Sequence, residues 1–95
     1  ILRCGDLSQE YDGIVLLEDD LYVSPFFYHF TQLAQQRYAN CEEISGIALY
    51  SPEYSENACL PFCPLTDNHD VYFMQLACSW GQSWSHQQWA GFRHW

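Results

Sequence analysis

An apolar run, Gly13-Ile14-Val15-Leu16-Leu17, leads straight into the acids Glu18-Asp19-Asp20, and this junction constrains the fold more than any other feature of the chain. A short continuous apolar run with a β-branched pair, bounded by Asp12-Gly13 and by acids, suits a strand buried on both faces. Such strands belong to parallel or mixed sheets covered by helices. In an extended backbone Glu18 and Asp20 point to one side and Asp19 to the other. Carboxylates packed this closely repel one another and raise each other's pKa unless positive charge lies between them. Two oxygen ligands on one side of a strand end suit Mg2+ or Mn2+, which take one or two protein carboxylates and fill their shell with water and phosphate oxygens. The plain alternative is a solvated acidic turn ahead of a helix.

The rest of the chain alternates. Residues 1 to 10 read as an incoming loop or the end of a helix. Ser24 as N-cap and Pro25 at the first helical position predict a helix to about Ala39. Its inward face is Phe26, Phe27, Phe30, Leu33, Ala34 and Tyr38, with Gln32, Gln35, Gln36 and Arg37 outside. A second strand is expected over Glu43 to Tyr50 and a third over Val71 to Cys78, broken by Ser79-Trp80-Gly81-Gln82. Residues 51–70, which hold two cysteines and most of the prolines, read as a long irregular loop, the kind that is often functional. Ser85 is placed to cap a last helix carrying Trp89, Phe92 and Trp95, a stripe best read as core. Strand, helix, strand, loop, strand, helix is α/β order, in which ligands sit beyond the carboxyl ends of strands. The acidic triplet falls at such an end.

Composition narrows the function. Hydrophobic residues make up 48% and aromatic residues 18% of the 95 positions, too many for a disordered chain. No apolar run approaches the length of a membrane span. Twelve acids against three basic residues give a net charge of −9, which disfavours nucleic acid and anionic membranes as partners. An anionic substrate would therefore need a mediating cation or basic residues from a further segment. The five cysteines are an odd, irregular set, which favours a reducing compartment such as the cytoplasm over a secreted disulfide scaffold. The chain reads as part of a longer protein.

The segment Tyr11-Asp12-Gly13-Ile14-Val15-Leu16-Leu17-Glu18-Asp19-Asp20-Leu21-Tyr22-Val23-Ser24-Pro25-Phe26-Phe27 resembles the acidic metal motif of GT-A fold glycosyltransferases. The similarity is to the N-acetylglucosaminyltransferase I-like and glycosyltransferase family 2-like groups. Ile44 to Tyr50, Ala77-Cys78-Ser79-Trp80-Gly81-Gln82 and Gln88-Trp89-Ala90-Gly91-Phe92 resemble later parts of the same domain. The resemblance implies the C-terminal part of a GT-A (Rossmann-like) domain, a mixed sheet with flanking helices holding the metal-motif and acceptor half. It implies transfer of a sugar from a nucleotide-diphosphate sugar to a glycan, protein or lipid acceptor. Asp20, with Glu18, would ligate Mn2+ or Mg2+; Glu18, Asp19, Trp80 and Gly81 would contact donor and acceptor. Where the family has an aspartate as catalytic base this chain has Gln75, which cannot accept a proton usefully; Asp70 or Asp67 would have to serve. Nothing before Tyr11 supplies a nucleotide-binding half, so the chain is expected to be inactive alone. In a eukaryotic type II membrane enzyme such a domain would face the Golgi lumen.

Two readings from other classes compete. Cys59, Cys63, His69 and Cys78 offer four ligands for a small zinc module, although Cys-x3-Cys is a weak signature; the alternatives for Cys59 and Cys63 are a loop disulfide or free thiols. An acidic, non-enzymatic interaction domain is the other reading. Trp80 and Trp84 are candidates for stacking on a sugar ring, against ordinary core packing.

Overall fold

A computed structural model describes residues 2–76 and 78–95. Its described part is a small mixed α/β domain with three helices and two small antiparallel sheets; the GT-A architecture is not established by it. The chain enters through a short helix α1 (Leu2–Asp6) and a 3-10 turn (Leu7–Gln9). Strand β1 (Gly13–Leu16) forms from the apolar run as its sequence requires. It is an edge strand, half-buried along its length, rather than a strand buried on both faces.

The centre of the three-stranded sheet is β5 (Gln82–Ser85), flanked by β1 and by the two-residue β2 (Ile47–Ala48). Both pairings are antiparallel, with Val15 and Ile47 each opposite Ser83. This corrects the expected strand at residues 71–78: Val71–Leu76 has no regular structure, and Ala77 lies outside the described residues. The central strand is instead the polar string Gln82-Ser83-Trp84-Ser85, which begins at the last residue of the expected break Ser79-Trp80-Gly81-Gln82 and was not expected as a strand. The reason is local satisfaction. Ser83 is 2% exposed, yet its hydroxyl donates to the Ile14 carbonyl at 2.9 Å and accepts from Gln35 Nε2 at 3.0 Å. A buried polar group with both partners carries no desolvation penalty to speak of.

Helix α2 (Phe27–Tyr38) starts later than expected. Pro25 occupies a turn closed by the Phe27 N–H donating to the Ser24 carbonyl at 3.1 Å, and a fixed φ suits the second turn position as well as the first helical one. The Ser24 hydroxyl accepts from the Phe26 N–H at 3.2 Å, so it serves the turn and not the helix. The buried face is also rotated. Thr31 and Ala34 are buried and Gln35 points inward, whereas Phe26, Phe30 and Leu33 are exposed. Two hydrogen bonds from Gln35, to Ser83 and to Gln88 Oε1 at 3.4 Å, fix that rotation.

Helix α3 (His86–His94) follows β5 directly. Ser85 caps it as expected, and Gln88 completes a capping box: the Gln88 N–H donates to Ser85 Oγ at 3.1 Å, and Ser85 N–H to Gln88 Oε1 at 3.0 Å. Of the aromatic stripe only Trp89 is core, at 2% exposure; Phe92 and Trp95 face outward. Trp84 packs against Trp89 with ring centroids 5.2 Å apart, so it belongs to the core and not to a sugar platform. Within the irregular stretch a small hairpin joins β3 (Tyr54–Ser55) to β4 (Leu60–Pro61), with Cys59 in the left-handed region at φ 52°.

Candidate functional site

The acidic triplet follows β1 on a turn. The Leu21 N–H donates to the Glu18 carbonyl at 3.4 Å, so the backbone folds over Asp19 and Asp20 and the strand alternation expected for Glu18 and Asp20 stops at Leu16. All three acids are exposed. Among the described residues none forms an ion pair with Arg, and no three His, Cys, Asp or Glu side chains converge on one point. A closed protein cage is therefore not formed here. The donor set is still the one a hard cation takes when it keeps most of its water: one or two free carboxylate groups beside open space. In that limited sense the residues fit Mn2+ or Mg2+.

The residues on either side of the triplet, Leu17 and Leu21, line a cleft of about 250 Å3. Its other walls come from Tyr22 to Phe30 at the entry of α2, from Leu49 and Tyr50 after β2, and from Trp80 and Gly81 before β5. The lining is mostly apolar. Tyr50 and Trp80 stand edge to face with centroids 4.8 Å apart, and each keeps a substantial exposed area. Gly81, at φ +82°, turns the chain from Trp80 into β5, and its carbonyl accepts from the Leu49 N–H at 2.9 Å. Trp80 and Gly81, singled out from sequence, thus stand in one cleft flanked by the neighbours of the triplet. Asp70 is exposed on the irregular stretch and does not line the cleft. Asp67 accepts from the His69 N–H at 3.1 Å and serves a local turn. Tyr50, Phe26 and Phe30 were not marked as site residues by sequence; Tyr50, the aromatic closing the run Ile44 to Tyr50, carried the only available signal.

All five thiols are free. Cys59 and Cys63 are exposed and separated by the extended strand β4. Cys59, Cys63, His69 and Cys78 do not gather into a tetrahedral set. The Cys41 thiol donates to Glu43 Oε2 at 3.3 Å. That bond raises the Cys41 pKa, with desolvation and the Glu43 charge adding to it. The Glu43 carboxyl is lowered in turn, first by its own backbone N–H and then by the thiol. A raised thiol pKa means less thiolate at a given pH. Timed iodoacetamide labelling at pH 8 is expected to modify Cys41 after the exposed Cys4, Cys59 and Cys63, and Glu43→Gln to speed Cys41 alone.

Among the described residues no helix is long and apolar enough to cross a membrane. Compared with family models, curated proteins and solved structures, the chain matches none.

Proposed function

We propose that this chain carries the metal-binding and acceptor-side face of a nucleotide-sugar-dependent glycosyltransferase. One observation supports the reading: the acidic turn adjoins the cleft that holds the Tyr50–Trp80 pair, since Leu17 and Leu21 on either side of the triplet line that cleft together with those rings, although the three acids themselves stand outside its lining. Asp20 and Glu18 would hold Mn2+ or Mg2+, which supplies Lewis-acid stabilisation of a diphosphate leaving group. The chain has only Arg3, Arg37 and Arg93 as fixed cations, and none lines the cleft, so a bound divalent ion is the chemistry that reconciles a diphosphate with an acidic surface. Trp80 and Tyr50 offer ring faces and edges for orienting a sugar, and the apolar walls exclude water around it. No general base is assigned, since Asp70 stands outside the cleft. The partners implied are a nucleotide-diphosphate sugar and a glycan, protein or lipid acceptor.

The test is Mn2+ binding followed by the fall of the free Mn2+ spin-resonance signal, alone and with a UDP-sugar. Asp20→Asn is expected to weaken binding on the order of tenfold or more, at least the cost of losing a supporting group around a metal. Glu18→Gln should weaken it less. Native-like Mn2+ and UDP-sugar binding by Asp20→Asn would remove the proposal.

A further inference from the structure

A cleft selects its ligand by what its walls can and cannot pair. Among the described residues, those lining the cleft beside the acidic turn include no charged side chain and no side-chain amide. Side-chain hydrogen-bonding groups come from Tyr22, Ser24, Tyr50 and Trp80. Ser24 Oγ already accepts from the Phe26 N–H at 3.2 Å, and Tyr22 is fully exposed to water. Tyr50 and Trp80 remain, enough to meet one hydroxyl of a ligand. A sugar ring carries several hydroxyls, and each one desolvated without a partner weakens binding by roughly tenfold. The walls of Leu17, Phe27, Phe30 and Leu49 favour carbon instead.

Size and charge narrow the class further. Three separate stretches of chain, the end of β1, the entry of α2 and the corner between β2 and β5, enclose the cleft as a recess, the form that a small molecule fills. Its volume is about 250 Å3, and an apolar cavity of about 150 Å3 takes one benzene. The room is that of two fused rings or an equivalent short chain. The neighbouring acids Glu18, Asp19 and Asp20 form no ion pair among the described residues, and the chain as a whole carries −9. An anionic group on the ligand is therefore repelled. The donor's diphosphate has a divalent ion to offset this; an acceptor anion has none.

We infer that the acceptor is a neutral alcohol or phenol on a small apolar body, an aryl or lipid-like aglycone rather than a glycan or a phosphorylated lipid. Its rings or chain lie against Phe27 and Phe30, and its one hydroxyl turns toward Tyr50 and Trp80. In the transfer, the hydroxyl oxygen bonds to the anomeric carbon of the donor sugar while that carbon's bond to the diphosphate breaks. The diphosphate departs with the electron pair, and the hydroxyl proton passes to water. The acceptor so defined belongs to the sugar-transfer reading, on which its role depends.

Isothermal titration of the native chain without metal reads the cleft directly, with 2-naphthol as the probe and 2-naphthoate and cellobiose beside it. 2-Naphthol is expected to bind one to one with a dissociation constant on the order of 100 μM. The anion and the disaccharide should bind at least about tenfold more weakly. Phe30→Ala and Trp80→Ala, which alter different walls, should each weaken 2-naphthol about tenfold. Their circular dichroism should stay native, because both rings are well exposed. Tyr11→Ala, which removes an exposed ring outside the cleft, should leave the affinity unchanged. Cellobiose or 2-naphthoate binding as tightly as 2-naphthol overturns the inference. So does the absence of 2-naphthol binding, or an equal loss in Tyr11→Ala, while Mn2+ and UDP-sugar binding would still uphold the sugar-transfer reading. Failure of that reading gives the reverse pattern: 2-naphthol binds in the cleft and neither Mn2+ nor a UDP-sugar does, which keeps the ligand class and removes its role as acceptor.

Discussion

Gly5→Ala is expected to lower the stability of the domain by about 2 to 4 kcal/mol, although alanine is the better helix former. Gly5 is buried in α1, and a Cβ there would lie 2.0 Å from the Trp89 ring. No rotamer of the indole relieves this cheaply. Trp89 Nε1 donates to Asp6 Oδ1 at 2.9 Å, and the ring is wedged between Trp84 and Phe92, with centroids 5.2 and 5.1 Å away. The ring must leave its site or α1 must undock, and either outcome surrenders much of what a Trp→Ala truncation costs, about 3 to 5 kcal/mol. The helix-propensity gain of about 1 kcal/mol offsets only part. The nearby Asp6–Arg93 pair, at 3.2 Å with both side chains well exposed, adds little. Urea unfolding of Gly5→Ala, Trp89→Leu and the double variant checks the mechanism. If the clash is the cause, Gly5→Ala costs far less in the Trp89→Leu background. An equal cost in both backgrounds would refute the close-packing explanation.

That Ser85 starts α3 was legible from sequence because a cap rests on short-range rules, and helical spacing placed Trp89 in the core correctly while placing Phe92 and Trp95 there wrongly. Capping boxes and helical aromatic spacing involve residues three or four apart. The apolar strand at Gly13 to Leu16 was legible for the same reason. What sequence did not reveal was set by partners far along the chain. The burial of Ser83 depends on Ile14 and Gln35, 69 and 48 residues away. A periodicity reading therefore gave the strand to the more apolar residues 71–78 and ended it at Ser79-Trp80-Gly81-Gln82, leaving Ser83 and Trp84 unassigned. The rotation of α2 has the same origin. Phe26, Phe30 and Leu33 outscore Thr31 and Gln35 in hydrophobicity, but the inward position goes to the side chains that satisfy the central strand.

The candidate site divides in a similar way. The acidic triplet, Trp80 and Gly81 stand out locally, one as a charge run and the others as a turn. Their juxtaposition does not, because it depends on β5 lying antiparallel between β1 and β2. That pairing carries the Trp80-Gly81 corner to the carboxyl end of β1, beside Leu17, and Tyr50 arrives there from the end of β2. The turn at Glu18 was legible only as the plain alternative to a strand end. Strand alternation was extended past Leu16, whereas the Glu18–Leu21 hydrogen bond reverses the chain there.

Gly81→Ala is expected to cost about 2 to 3 kcal/mol and to open the cleft at the same time. Two separate effects contribute. At φ +82° an L-residue bears a backbone penalty of about 1 to 2 kcal/mol. The new Cβ would also stand 3.1 Å from Leu49 Cβ, tighter than ordinary contact. Leu49 can yield only by stretching the hydrogen bond from its N–H to the Gly81 carbonyl, now 2.9 Å, and this bond ties the end of β2 to the start of β5. Tyr50 and Trp80, the next residues on each side, would then separate. Thermal unfolding reads the stability change, and Trp80 fluorescence reads the ring contact. Gly81→Asn separates the two causes, because asparagine tolerates a positive φ but carries the same Cβ. If strain dominates, Gly81→Asn recovers most of the stability; if the Leu49 contact dominates, it recovers little, and Leu49→Ala then rescues Gly81→Ala. Both variants should weaken Mn2+-dependent UDP-sugar binding if the Tyr50–Trp80 pair orients the sugar. Unchanged binding in a protein whose Trp80 emission has shifted would detach those rings from the site and leave the acidic turn to act alone.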